Sequence, residues 1–141
     1  MTTSKTPKCI LLVDDDPDDI FLHQIVIQES GVPTQAIVAE NGEVAWRYFD
    51  SYKEDSFQKP DIIFLDINMP RIDGFEFLSL FKTLSPDFRK DIKVVILSTS
   101  SNPYDQEKAT SILPGLAYHT KPLTQKLFLS LMNETSSLSN A

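Results

Sequence analysis

Ile10-Leu11-Leu12-Val13-Asp14-Asp15-Asp16-Pro17 is an apolar run that ends on three carboxylates and a proline. It reads as a buried strand, Cys9 to Val13, turning at once into a helix. Asp16 is the start of that helix, and Pro17 at its first position loses no donor the helix needs. Two further runs end on a reactive group in the same way: Ile62 to Leu65 on Asp66, and Leu116 to Tyr118 on Lys121. In a parallel α/β sheet ligands bind outside the carboxyl ends of the strands, so these groups are expected to meet in one crevice. Carboxylates plus one lysine, so arranged, suit a divalent cation and a phosphoryl group.

Outward from this stretch, apolar runs alternate with helical patterns. The first helix is expected to carry Leu22, Ile25 and Val26 inward and to stop near Ser30-Gly31. Ala36 to Ala39 reads as the second strand. Asn41-Gly42 then turns into a helix with Ala45, Tyr48, Phe49 and Tyr52 on one face, followed by a polar loop from Lys53 to Lys59. Asp61 to Leu65 is the third strand, and a helix from about Phe75 to Leu84 buries Phe77, Leu78, Phe81 and Leu84. Pro86 to Asp91 reads as a loop and Lys93 to Leu97 as the fourth strand. Asn102-Pro103 starts a helix with Ala109, Ile112 and Leu113 inward that must end before Pro114-Gly115. Leu116 to Thr120 is the fifth strand. Thr124 can cap a last helix with Leu123, Leu127, Phe128, Leu131 and Met132 inside, and Asn133 to Ala141 reads as a fraying polar tail. The expected organisation is one domain, 1–132, plus the tail, 133–141. Five βα units in succession imply a parallel sheet covered on both faces.

The bulk composition permits this. A chain of 141 residues, 41% hydrophobic, suits a single core. A net charge of -7 without a basic run argues against direct contact with nucleic acid or an anionic membrane, since phosphate contacts need clustered Lys and Arg. Cys9 is the only cysteine, so no internal disulfide forms. The N-terminus lacks an apolar core, and no apolar run approaches the roughly 20 residues that span a bilayer. The expected location is the cytoplasm.

Four motifs, in order and on the right elements, resemble the receiver domain of two-component response regulators. They are Val13-Asp14-Asp15; Leu65-Asp66-Ile67-Asn68-Met69-Pro70 with Asp73-Gly74; Ile96-Leu97-Ser98-Thr99; and Tyr118-His119-Thr120-Lys121-Pro122. The resemblance implies a flavodoxin-like, doubly wound sheet of five parallel strands, (βα)5, in the order 2-1-3-4-5. It implies that Asp66 is the phosphoacceptor, attacking the phosphorus of a phosphohistidine or small phosphodonor. Asp14 and Asp15 match the pair that holds Mg2+, with Asp66 completing the carboxylates and Asn68 supplying a backbone carbonyl. Lys121 matches the lysine that pairs with the phosphoryl group. Ser98 matches a strand-four hydroxyl that moves to the phosphoryl oxygen, and Tyr118 the aromatic that turns inward behind it. A phosphate could thereby change the surface formed by the fourth and fifth helices and the fifth strand.

The pattern departs from the commonest one at Ser98, where Thr is usual, and at Thr99, larger than the usual Ala. A slip of one residue would make Thr99 the switch, but the apolar run Val94 to Leu97 favours Ser98. No output domain is expected to follow, and the loops 53–59 and 86–91 resemble those of stand-alone receivers. The expected partners are therefore a sensor histidine kinase and an unknown downstream protein, with a homodimer left open. The chain is expected not to be an enzyme beyond catalysing its own phosphorylation and dephosphorylation. Two alternatives stand beside this: a phosphotransfer intermediate handing its phosphate to a histidine phosphotransfer protein, and a docking module whose output ignores phosphorylation. Asp14, Asp16 and Asp18 echo a calcium loop, but Asp19 stands where Gly is required and Ile25 where Glu is. Asn68 argues against an Asp-x-Asp phosphatase motif. His23 and His119 have no metal-ligand company, so helix surface and strand packing are expected of them. Trp46 falls off the inner face of its helix as a candidate contact surface.

Overall fold

The computed structural model describes residues 8–52, 54 and 56–140, with side chains described as far as 134. Residues 1–7, where no leader or anchor is expected, Lys53 and Asp55 of the expected loop, and Ala141 of the expected tail lie outside the described residues. Five strands, β1 (Lys8–Val13), β2 (Thr34–Ala39), β3 (Ile62–Leu65), β4 (Lys93–Ser98) and β5 (Ala117–Thr120), pair in parallel in the order β2-β1-β3-β4-β5. Between and after them run α1 (Pro17–Glu29), α2 (Gly42–Asp50), α3 (Gly74–Phe81), α4 (Pro86–Arg89), α5 (Pro103–Ile112) and α6 (Gln125–Asn140). This is the doubly wound architecture expected. The chain first winds outward from β1 to β2 and then crosses to β3 on the other side, so the switch point lies between the ends of β1 and β3.

The central strands are buried on both faces and read as continuous apolar runs for that reason. On one face Leu11, Val13, Ile63, Leu65, Val94 and Ile96 pack under α2, α3 and α5, whose Phe49, Phe77, Phe81 and Ala109 are fully enclosed. On the other, Ile10, Leu12, Phe64, Val95 and Leu97 pack under Ile27 of α1 and Phe128, Leu131 and Met132 of α6. Each such side chain contributes about 1.5–3 kcal/mol over its exposed state. The caps follow the sequence. Asp16 Oδ1 accepts the Asp18 N–H at 2.9 Å, Asn41 Oδ1 the Val44 N–H at 2.9 Å, and Thr124 Oγ1 the Leu127 N–H at 3.1 Å.

Several expectations need correction. Leu22 was expected inside α1 but is 51% exposed, whereas His23, expected on the surface, is 4% exposed. α1 is apolar on nearly all sides (Ile20, Phe21, Leu22, Ile25, Val26, Ile27), so periodicity could not choose its face, and packing turned His23 and Ile27 to the sheet. Tyr52 lies beyond the end of α2 and is 47% exposed, with its ring against Phe88. Trp46 is half-buried against the core rather than presented as a free contact surface. The stretch 86–91 is not all loop: Ser85 Oγ accepts the Phe88 N–H at 3.2 Å and caps the short α4, with Pro86 at its first turn. α6 continues past Met132 to Asn140, because neither Gly nor Pro interrupts 125–140 and extending a formed helix is easier than starting one.

Candidate phosphoacceptor site

Strand register builds the site. Val13 of β1 pairs with Leu65 of β3, so the next residues, Asp14 and Asp66, emerge side by side. The Asp66 N–H donates to the Val13 carbonyl at 2.9 Å, and the Asp14 N–H to the Ala39 carbonyl at 3.1 Å. Across β4, Ser98 pairs with Thr120 of β5, and the Lys121 N–H donates to the Ser98 carbonyl at 2.8 Å. Lys121 therefore leaves β5 toward the same end of the sheet. A close approach of α3 completes the frame: a Cβ on Gly74 would fall 2.6 Å from the Asp66 carbonyl oxygen and 2.7 Å from the Ile67 Cα, so only glycine fits there. Asp73 and Glu76 close a capping box beside it.

Asp14, Asp15 and Asp66 each offer a carboxylate oxygen, and these oxygens lie within 4.8 Å of one another. Asp14 and Asp66 are buried at 5% and 7% exposure, while Asp15 is exposed. The Lys121 ammonium lies 2.7 Å from Asp19 Oδ2, 3.0 Å from Asp14 Oδ2 and 3.7 Å from Asp66 Oδ1. Burial alone would push the ammonium toward losing its proton. The hydrogen bonds to Asp19 and Asp14 outweigh that, and its pKa is raised, so it stays charged. Burial pushes the Asp66 carboxyl up to about 6; Lys121 opposes the rise, and the Asp14 charge adds to it. The backbone N–H of Asn68, in the loop after Asp66, hydrogen-bonds the Asp66 carboxylate and pulls the other way. Clustered hard oxygen donors, one of them with its pKa raised chiefly by burial, fit a hard divalent cation.

The expected switch pair lies on β4 and β5. Ser98 is fully buried at the end of β4, whereas Thr99 is exposed. Ser98 Oγ accepts the Ser100 N–H at 3.0 Å, and the half-buried Tyr118 donates its hydroxyl to the Ser100 carbonyl at 3.0 Å. Ser100, unnoticed in the sequence, is thus held by both, and its own hydroxyl donates to Asp105 at 2.7 Å. Asp19 was missed as well, having been weighed only as a break in a calcium loop. Its place in the first turn of the helix after the acidic triplet was the available signal. His23 faces the same end of the core, lining a small internal space with Asp14 and Asp66, and burial pushes its imidazole toward the neutral form.

Comparison with known proteins supports this geometry. The model of the response regulator receiver domain matches residues 10–132. The response regulator Rcp1 of Synechocystis is 37% identical over 103 residues, 72% of this chain and 69% of that protein. A solved structure of Mn(2+)-bound response regulator Rcp1 superposes with a TM-score of 0.71 at 31% identity, covering 92% and 93% of the two chains. A two-component response regulator from Cytophaga hutchinsonii gives a TM-score of 0.81 at 30% identity over 94% of this chain and 99% of its own. The phosphorylated cyanobacterial phytochrome response regulator RcpA gives 0.75 at 31% identity over 96% and 97%. These relatives are signalling proteins. With the matched family model, the sheet order and the carboxylate–lysine cluster all in agreement, this chain belongs to the response regulator receiver domain family.

Proposed function

We propose that this chain is a phosphoacceptor in a two-component phosphorelay: Asp66 takes a phosphoryl group from the phosphohistidine of a sensor histidine kinase, with Mg2+, and the chain then signals through altered protein contacts. The reading carries with it the cytoplasm as the place of action. The observation behind it is the convergence of a buried carboxylate, Asp66, and a buried ammonium, Lys121, 3.7 Å apart and beside Asp14 and Asp15. A phosphorylated relative and a Mn(2+)-bound relative of the same fold support it.

The cation would be held by Asp14, Asp15, Asp66 and the Asn68 carbonyl, and when bound it supplies the positive charge that this cluster lacks. Asp66, as the carboxylate, attacks phosphorus in line with the leaving group. Lys121 meets the phosphoryl oxygens as a fixed point charge, so the protein contributes positioning and charge rather than covalent help. Ser98 suits the role of hydroxyl donor to the phosphoryl group because it is buried at the strand end, and Tyr118 is tied through Ser100 to the same loop. Incubation with acetyl phosphate and Mg2+ should give a phosphoryl adduct seen by intact mass, absent with chelator and absent in Asp66→Asn. Labelling that persists undiminished in Asp66→Asn refutes the assignment.

A further inference from the structure

The shortest contact of the Lys121 ammonium is not with Asp66. Asp19 Oδ2 lies 2.7 Å from Nζ, whereas Asp66 Oδ1 lies at 3.7 Å. Asp19 is the third residue of α1, where a carboxylate commonly reaches back to the N–H of the capping residue. That N–H, on Asp16, donates instead to Asp14 Oδ1 at 3.0 Å, and the Asp16 side chain caps the Asp18 N–H. Helix capping therefore does not account for Asp19. Its carboxylate reaches across to the end of β5, to a residue 102 positions away.

The ammonium has three N–H donors and no acceptor, and Asp14, Asp19 and Asp66 surround it. Asp14 and Asp66 belong to the cluster that could share a metal ion, but Asp19 stands outside it. A cation held by that cluster would repel the ammonium, and Asp19 is the carboxylate that would be left to hold it. A phosphoryl group on Asp66 brings new anionic oxygens that compete with Asp19 for the same donors.

We propose that Asp19 is a positioning residue for Lys121: it holds the ammonium off Asp66 while the acceptor is empty, and the phosphoryl group has to draw the lysine away from it. This rests on the proposed role of Asp66. With acetyl phosphate as donor, the bond from an Asp66 oxygen to phosphorus forms as the bond from phosphorus to the departing acetate oxygen breaks. Lys121 keeps its proton throughout. Because one ion pair is exchanged for another, Asp19 sets how far the occupied state is favoured over the empty one.

The test uses the full chain and beryllofluoride, a phosphoryl mimic, at saturating Mg2+, followed by titration calorimetry. Asp19→Asn should lower the half-saturating beryllofluoride concentration about threefold to fivefold, the size of one partly exposed ion pair. The same variant should bind Mg2+ alone less tightly, because the freed ammonium then stays on Asp14 and Asp66. Asp19→Glu, which keeps the charge, should return both values toward wild type. Asp18→Asn removes the same charge from an exposed side chain in the same turn and should shift neither. Equal or weaker beryllofluoride binding in Asp19→Asn, or an equal shift in Asp18→Asn, overturns the inference and leaves the acceptor assignment standing. A wild-type protein that binds no beryllofluoride overturns both.

Discussion

Replacing Asp66 by Asn should stabilise the metal-free protein, because the carboxylate sits where its own charge is unwelcome. Burial, with the Asp14 charge added, raises the Asp66 pKa from the usual 3.8 to about 6. A rise of about two pH units corresponds to about 3 kcal/mol, at 1.36 kcal/mol per unit. As pH rises past about 4, the unfolded chain ionises Asp66 while the folded chain still holds the proton. Stability contributed by this group therefore falls until about pH 6 and is flat above it. Asn avoids that cost, and Lys121 is not left alone, since it keeps Asp19 and Asp14 at 2.7 and 3.0 Å. In chelator at pH 7.5 the variant should melt higher than wild type by an amount on the order of 10 °C. The gap should close as pH is lowered from about 6 to about 4. Thermal unfolding followed by circular dichroism across that range measures both. A variant that melts at or below wild type at pH 7.5, or a gap indifferent to pH, refutes the reasoning.

Millimolar Mg2+ should raise the wild-type melting midpoint by mass action, about 1.4 kcal/mol at ten times Kd, and should raise that of Asp15→Asn much less; an unchanged wild-type midpoint counts against the metal assignment. Ser98→Ala should still take the phosphoryl group but lose the beryllofluoride-induced change in hydrogen exchange around 99–105, with Thr99→Ala much milder, and the reverse ranking would show that the switch lies one residue later.

The order of elements was legible in the chain because each is marked locally. The run Ile10 to Val13, Asp16 before Pro17, Asn102 before Pro103 and Thr124 ahead of the last helix are short-range signals, and each cap appears where its residue stands. The convergence of Asp14, Asp15, Asp66 and Lys121 was legible too, since parallel strands bring whatever follows them to one edge. Even the short α4 carried a readable mark in Ser85-Pro86. What the chain alone could not decide was anything set by packing between distant segments. The rotation of α1, which buried His23 and exposed Leu22, was chosen by the sheet, because a helix apolar on most sides states no preference of its own. The ion pair of Asp19 with Lys121 depends on the first turn of α1 lying against the end of β5, and the joint role of Ser100 on β4 ending where Tyr118 can reach it. Local residues determine where an element starts and stops, but contacts between residues far apart in sequence exist only once the sheet has assembled and fixed the distances between its ends.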